Sequence, residues 1–531
     1  MDNKFLVLLA QLNPIVGDIK NNKNKAIESI KYAIENKVNL VVFPKNFLLG
    51  NPIGKILDRY PYIINQLNKA IDEIKSCCKN ISVLINSNNE TFYIENGSIK
   101  KNDKFEIAFF EDLKNLKTSK NIIICMDSTP SRAKQEYFRN SLLKNTAIKN
   151  NSKLIYVNQT GASEEYVYDG LSRIYNNKGE IISISKEFGE ELKIADIFSN
   201  EKINYQEIKI EDNFSLDYEY DLKRTYNSIK YAIQEYFSKN GFKRAVLGLS
   251  GGLDSTICAV LLADALGKEN VLGVSMPSKY TSSDSKNDGY KLAQNLGIHY
   301  IEVPIKDIHD TLSEKFEDIF KNINWCERCE KSYTQDNIQA RTRATILWGI
   351  SNEYPKTLPI ATSDKSESYM GYATVNGDMS GGYAPICDVT KTKLFALARW
   401  LNKNREEKNA IPQNIIEKPP GAELAINPET GKTLTAEEAL MPYEFLDEVI
   451  WRIENKHQSF NDMLSETFLY EKKNSLTKDK KTIWLEKFFK RMKSAMYKWY
   501  IIPPGPVVDS YSINKIEYKQ SIVSNINYKE N

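Results

Sequence analysis

Ser250-Gly251-Gly252-Leu253-Asp254-Ser255 holds the residue types for binding a phosphate chain together with its metal. Paired glycines let backbone amides approach an anion. A following helix start adds unpaired N–H groups and a positive dipole end. The two serines add hydroxyl donors, and Asp254 is a hard oxygen ligand suited to a phosphate-bound Mg2+. The stretch lacks the spacing and the Gly-Lys-Ser/Thr ending of a P-loop. It is not a Walker A loop.

The elements around it supply the needed geometry. Ala245 to Leu249 is an apolar run that reads as a buried parallel strand, so Gly248 and Leu249 lead directly into the loop. Thr256 to Leu266 is an apolar helix closed by Gly267. Before them Leu222–Phe237 predicts an amphipathic helix, and after them Val271–Ser278 a second strand. Ser283–Leu296 predicts a helix ended by Gly297, and Tyr300–Val303 a third strand. A helix opens near Asp336 and runs through Trp348, and Leu358–Thr362 reads as a fourth strand. This alternation predicts a doubly wound parallel sheet, whose ligands bind beyond the carboxyl ends of the strands. Ser278 and the Ser250 loop both fall at such ends. The run Gly377–Ile386 is too polar for a core strand and reads as a loop that wraps a ligand.

The loop resembles the pyrophosphate loop of the ATP pyrophosphatases. Five signatures in order make the resemblance specific: Ser-Gly-Gly-Leu-Asp-Ser, Asn337-Ile-Gln-Ala-Arg, Thr362-Ser-Asp-Lys-Ser-Glu367, Gly377-Asp-Met-Ser-Gly-Gly, and Pro419-Pro-Gly-Ala-Glu-Leu. Together they resemble NAD synthetases across residues 218–509. The resemblance implies ATP and deamido-NAD as substrates, with Mg2+ on Asp254 and Glu367. It implies an ATP and pyrophosphate site made of Gly248, Leu249, Ser250, Gly251, Gly252, Leu253, Asp254, Ser255, Ser278, Thr362 and Lys391. It also sets Asn337, Glu367, Asp378 and Lys498 against deamido-NAD. Two positions depart from the family pattern: Gly421 replaces a hydroxyl residue near phosphate, and Cys387 replaces a frequent lysine. Other ATP pyrophosphatases fit less well. A GMP synthetase-like enzyme leaves the Asp378 loop unexplained, and a tRNA thiolase wants a basic surface that a net charge of +3 does not supply.

A chain of 531 residues exceeds one ordinary core. Residues 1–205 read as a separate α/β domain, 206–217 as a linker and 510–531 as a loosely held polar tail. Phe5–Leu12 and Asn39–Phe43 read as strands. Ile27, Ile30 and Ile34 read as one apolar helix face, and a hairpin turns near Gly179. This part resembles the nitrilase-type glutaminase domain fused to glutamine-dependent NAD synthetases, an α-β-β-α sandwich, here shortened. Such an amidase needs a Glu base, a Lys and a Cys nucleophile. Lys45 stands where the Glu belongs and Phe110 where the Cys belongs, while the Lys-bearing segment is deleted, with Lys101 or Lys104 as weak substitutes. A rival alignment makes Cys125 the nucleophile. Under both alignments Lys45 has replaced the base, so ammonia rather than glutamine is the expected nitrogen source, and the domain is a scaffold or a degraded remnant. The scattered cysteines, the unremarkable start and the absence of an apolar stretch of about 20 residues predict a cytoplasmic protein. The resemblance further implies a homo-oligomer, with no nucleic-acid or membrane partner. Cys326 and Cys329 read as surface loop cysteines, and the three histidines as turn or surface residues.

Overall fold

The computed structural model describes residues 4–88, 90–163, 165–205, 219–329, 332–419, 421, 435–510 and 512–513. The expected linker 206–217, most of the expected tail 510–531, and Pro420 and Ala422–Leu424 of the fifth signature lie outside the described residues. The chain forms two compact units, Met1–Asp212 and Asn213–Asn531.

The first unit holds thirteen strands among its described residues: β1 (Leu6–Gln11), β2 (Leu40–Val42), β3 (Ser82–Ser87), β4 (Glu90–Glu95), β5 (Ser98–Lys100), β6 (Glu106–Ala108), β7 (Ile122–Asp127), β8 (Lys153–Asn158), β9 (Thr160–Ser163), β10 (Tyr166–Asp169), β11 (Arg173–Tyr175), β12 (Ile181–Ile184) and β13 (Glu191–Asp196). One sheet runs β13-β1-β2-β3-β4-β5, a second β12-β11-β8-β7-β6, and β9 pairs with β10 apart from both. The sheets stack because their strands are apolar on both sides. Val7, Leu9, Leu40 and Val42 of the first meet Ile124, Met126, Ile155 and Val157 of the second in one core. Helices Ile19–Glu35 and Ile63–Cys77 cover the outer face of the first sheet, and Gln135–Lys149 covers that of the second. The result is an α-β-β-α sandwich. The expected Ile27–Ile30–Ile34 face is only partly right. Ile30 is buried, Ile27 half-buried and Ile34 37% exposed, because the buried stripe runs through Ile19, Asn22, Ala26, Ser29 and Ala33 instead.

The second unit is built on four parallel strands, β14 (Arg244–Gly248), β15 (Val271–Ser275), β16 (His299–Glu302) and β17 (Thr357–Pro359), in the order β16-β15-β14-β17. The apolar strands β14 and β15 lie inside the sheet, and the polar β16 lies at an edge. Helices Leu253–Leu266 and Ser283–Leu296 end on Gly267 and Gly297 as expected. The fourth strand stops at Pro359; the Ile360 amide still donates to the Val246 carbonyl of β14 at 2.9 Å, and Ile360 makes an isolated bridge to Tyr383. A second apolar cluster, around Phe445, Leu446, Leu485, Phe488 and Met496, binds helices Tyr443–Lys456 and Lys478–Trp499 to the short helix Lys365–Met370. Among the described residues no helix is long and apolar enough to cross a membrane.

Candidate active site

Gly248 ends β14, and the chain turns through Leu249–Gly252 into the helix that starts at Leu253. Gly251 has φ +76°, and a Cβ there would lie 2.1 Å from the carbonyl oxygen of Ser285. Only glycine tolerates both conditions. The Ser283–Leu296 helix therefore presses directly on the loop. Ser250 Oγ and Ser255 Oγ are 3.1 Å apart, and Ser250 Oγ accepts from the Gly252 amide at 3.2 Å. The turn is thus braced by its own hydroxyls.

A cavity of about 270 Å3 opens in front of the loop, lined by Gly248 to Asp254 together with Thr362, Glu367, Asp378 and Lys391. The structure gathers most of the expected ATP and metal residues on one wall system. Gly421 also lines it, so the missing hydroxyl faces the cavity. Ser278 does not line it: its Oγ accepts from the Tyr280 amide and closes a turn. Ser255 stands behind the loop as a brace. Asn337 and Lys498 also lie off the lining. Asn337 is not a helix cap, since Tyr333 holds that position. Its Oδ1 accepts from Thr374 Oγ1 at 2.8 Å, and the Thr374 amide in turn donates to Asp378 Oδ1 at 2.5 Å. Lys498 Nζ donates to the carbonyls of Gly371 (2.9 Å) and Ala373 (2.6 Å). Both residues therefore hold the Asp378 loop. Burial pushes the Lys498 ammonium below the usual lysine range, with Asp378 opposing, and pushes the Asp378 carboxyl up.

The chemical centre is a carboxylate trio around an ammonium. One oxygen from each of Asp254, Asp364 and Glu367 lies within 4.8 Å of the others. Lys391 Nζ sits 2.7 Å from both oxygens of Asp254, 2.7 Å from Asp364 Oδ2 and 2.9 Å from Glu367 Oε1. Burial opposes the Lys391 charge, yet the three carboxylates outweigh it and hold the ammonium well above the usual lysine range. Burial pushes the Asp364 carboxyl up to about 7, against the pull of Lys391 and with repulsion from Asp254. Burial likewise raises Glu367 well above the carboxylate range. Three carboxyl groups thus share one ammonium, and ionised together they would leave an excess of two negative charges. Hard oxygen donors gathered in this way, beside the glycine turn, fit a divalent cation such as Mg2+.

Sequence reasoning missed several of these groups. Asp364 lies inside a quoted signature but received no role; its Oδ1 caps the Lys365–Met370 helix by accepting from the Glu367 amide at 2.8 Å. Lys286, Arg343 and Lys418 bring three cations to the cavity wall, with Lys418 Nζ 2.5 Å from Ser285 Oγ. Each is an ordinary helix or loop lysine or arginine in the sequence, with no local signal. Cys387 is buried in the apolar cluster beside Gly505 and does not line the cavity. His309 is buried, with Nδ1 3.2 Å from Asp310 Oδ1, contrary to the surface reading. Cys326 and Cys329 are exposed.

In the first unit Lys45 Nζ donates to Glu111 Oε1 at 2.5 Å and lies 4.4 Å from the centre of the Phe109 ring. Phe110 meets Tyr156 edge to face at 6.5 Å. Alternation along β7 sends Ile124 and Met126 into the space between the sheets, and Ile123 and Cys125 to the helix side. Cys125 is fully buried there, and burial, with Asp127 next, pushes its thiol well above the usual range. Of the substitute lysines, Lys104 pairs with Glu95 at 2.5 Å and Lys101 is exposed.

Comparison with known proteins agrees with this arrangement. Residues 225–492 match the NAD synthase family. The chain is 32% identical to the glutamine-dependent NAD(+) synthetase of Aquifex aeolicus, covering 83% of this chain and 88% of that one. It is 30% identical to that of Synechocystis sp., covering 87% and 91%. The structure of the glutamine-dependent NAD+ synthetase from Acinetobacter baumannii, in complex with adenosine diphosphate, superposes with a TM-score of 0.69 at 25% identity over 98% of both chains. The synthetase from Cytophaga hutchinsonii shares the fold with a TM-score of 0.80 at 19% identity, again over 98% of both. With both units matched in fold and the second matched in its motifs, the chain belongs to the glutamine-dependent NAD(+) synthetase family.

Proposed function

We propose that this protein converts deamido-NAD to NAD with ATP and free ammonia. A nicotinate carboxylate oxygen attacks the α-phosphorus of ATP, the bond to the β-phosphate oxygen breaks, and pyrophosphate leaves. Ammonia nitrogen then attacks the adenylated carbonyl carbon, the C–O bond breaks to release AMP, and one proton is lost. The observation that carries this reading is the Asp254–Asp364–Glu367–Lys391 cluster beside the amide-rich loop.

In this reading the turn of residues 250–254, braced by Ser255, holds the departing pyrophosphate, and Lys391 moves from the carboxylates to a phosphate oxygen. Asp254 and Glu367 hold Mg2+, which when bound would screen the phosphate charge from an incoming carboxylate. Thr362 contacts ATP. Asp378, positioned by Asn337 through Thr374 and by Lys498, meets deamido-NAD. The complex of the Acinetobacter baumannii relative with adenosine diphosphate supports an adenine nucleotide as a ligand here.

Glutamine hydrolysis is lost in this proposal. Lys45 is a cation tied to Glu111, Phe110 has no nucleophilic atom, and Cys125 is a buried, protonated thiol. The first unit then serves as scaffold, and the protein assembles as a homo-oligomer through residues 218–509 in the cytoplasm. Purified protein incubated with deamido-NAD, ATP and Mg2+ tests the reading. NAD should form with ammonium and not with glutamine. Equal rates from both donors would overturn the ammonia-only proposal. No product from either would overturn the synthetase reading itself.

A further inference from the structure

The Lys391–Asn404 helix begins with the lysine of the carboxylate cluster, yet its own N-cap residue, Thr390, makes no side-chain cap hydrogen bond. The first amides of a helix need acceptors, and a buried start without them is costly. Here the acceptors come from elsewhere. The Lys391 amide donates to Ser366 Oγ at 2.8 Å, and Ser366 Oγ donates to Asp447 Oδ1 at 2.5 Å. The Thr392 amide and hydroxyl donate to Asp447 Oδ2 at 2.8 and 2.6 Å. Asp447 is fully buried on the Tyr443–Lys456 helix, and Ser366 lies between Asp364 and Glu367 in sequence. One carboxylate therefore fixes both the backbone of Lys391 and the segment that carries two of its three partners. One turn earlier on the same helix, the Tyr443 ring centre lies 5.4 Å from Lys391 Nζ.

We infer that Asp447 is a positioning residue for phosphate chemistry at Lys391, acting as the cap that the Lys391 helix lacks. Asp447 does not line the cavity and touches neither the loop nor the carboxylate trio. Its influence runs through Ser366 and the Lys391 amide. The inference rests on the proposed role of Lys391 and can fail separately from it.

A double-mutant cycle on the full chain separates the two. The variants are Lys391→Ala, Asp447→Ala and the pair, with Asp447→Asn as the isosteric form that retains one acceptor oxygen. The readouts are deamido-NAD-dependent ATP–pyrophosphate exchange, with kcat and KM separated, and thermal melting. Asp447→Ala should lower kcat about a hundredfold, the scale of an ångström-sized misplacement. KM for deamido-NAD should stay within about twofold, and Asp447→Asn should recover part of the loss. In the Lys391→Ala background the same change should cost less than about threefold, because the residue it positions is gone. Full additivity in the cycle, or an unchanged kcat in Asp447→Ala, overturns the inference. Undiminished exchange in Lys391→Ala overturns the role of Lys391 instead. Should Asp447→Ala fail to fold, Asp447→Asn carries the cycle with the same two outcomes.

Discussion

Lys391 Nζ lies 2.7 Å from both carboxylate oxygens of Asp254, although 137 residues separate them in the chain. One residue opens the helix after the phosphate loop and the other opens a helix beyond the last strand. Their meeting puts a buried ammonium where a divalent cation would find its oxygen ligands. A metal bound there would compete with this ammonium for the same carboxylates.

Asp254→Ala should lower deamido-NAD-dependent ATP–pyrophosphate exchange by about a hundredfold to a thousandfold, the scale seen when a charge-stabilising group is removed. Its melting temperature should stay close to that of the parent, since Asp364 and Glu367 still neutralise Lys391. Exchange at the parent rate would show that the site has been misassigned.

Gly251→Ala places a methyl group against the Ser285 carbonyl in a left-handed backbone conformation. The loop must shift or the Ser283–Leu296 helix must move away. We expect a loss of about 2–4 kcal/mol in unfolding free energy, combining strain with steric overlap. Exchange activity should vanish with it. Chemical denaturation measures the first effect.

Thiol labelling distinguishes the cysteines. Iodoacetamide at pH 7.5 should modify Cys326 and Cys329, which are exposed, while Cys125, Cys258 and Cys387 stay unmodified in the folded protein. Burial pushes the Cys125 and Cys258 thiols well up, so little thiolate is present. Peptide mass analysis reads the result, and prompt labelling of Cys125 would revive it as a nucleophile.

Stability should fall as pH rises from about 4.5 to about 7 and level off above. Burial, opposed by Lys365, lifts the Glu454 carboxyl to about 7, so between the ordinary value near 4.5 and 7 the folded state holds a proton that the unfolded state releases. The stabilising contribution is complete below the unfolded value and lost as pH climbs through 7. Glu454→Gln should remove up to one proton from that dependence, at most about 1.4 kcal/mol per pH unit. Melting temperatures from pH 5 to pH 8 check it; identical slopes in parent and variant would contradict the assignment.

Local chemistry made much of this legible. The strand–loop–helix around Ser250 follows from an apolar run, a glycine pair and a second apolar run, all within sequence reach of one another. The Ser283–Leu296 helix was readable to the residue because a serine cap and a C-terminal glycine bracket it. The weaker readings share one cause. Ile34 looked like core because helical spacing gives a face but not its width or direction, which the sheet beneath decides.

By itself, then, the sequence determined that a glycine- and serine-rich turn joins an apolar strand to an apolar helix, while the reading of Lys45 and Phe110 in place of an amidase's Glu base and Cys came from resemblance alone. Tertiary structure alone decided which charges share a site. Asp364 joins the trio, Asp447 caps a helix from another element, Ser278 turns away, and Asn337 and Lys498 hold a loop instead of facing the cavity. The reason is physical: hydrogen bonds and charge pairs among groups that lie far apart in the chain depend on distances that packing sets. No spacing along the chain records them.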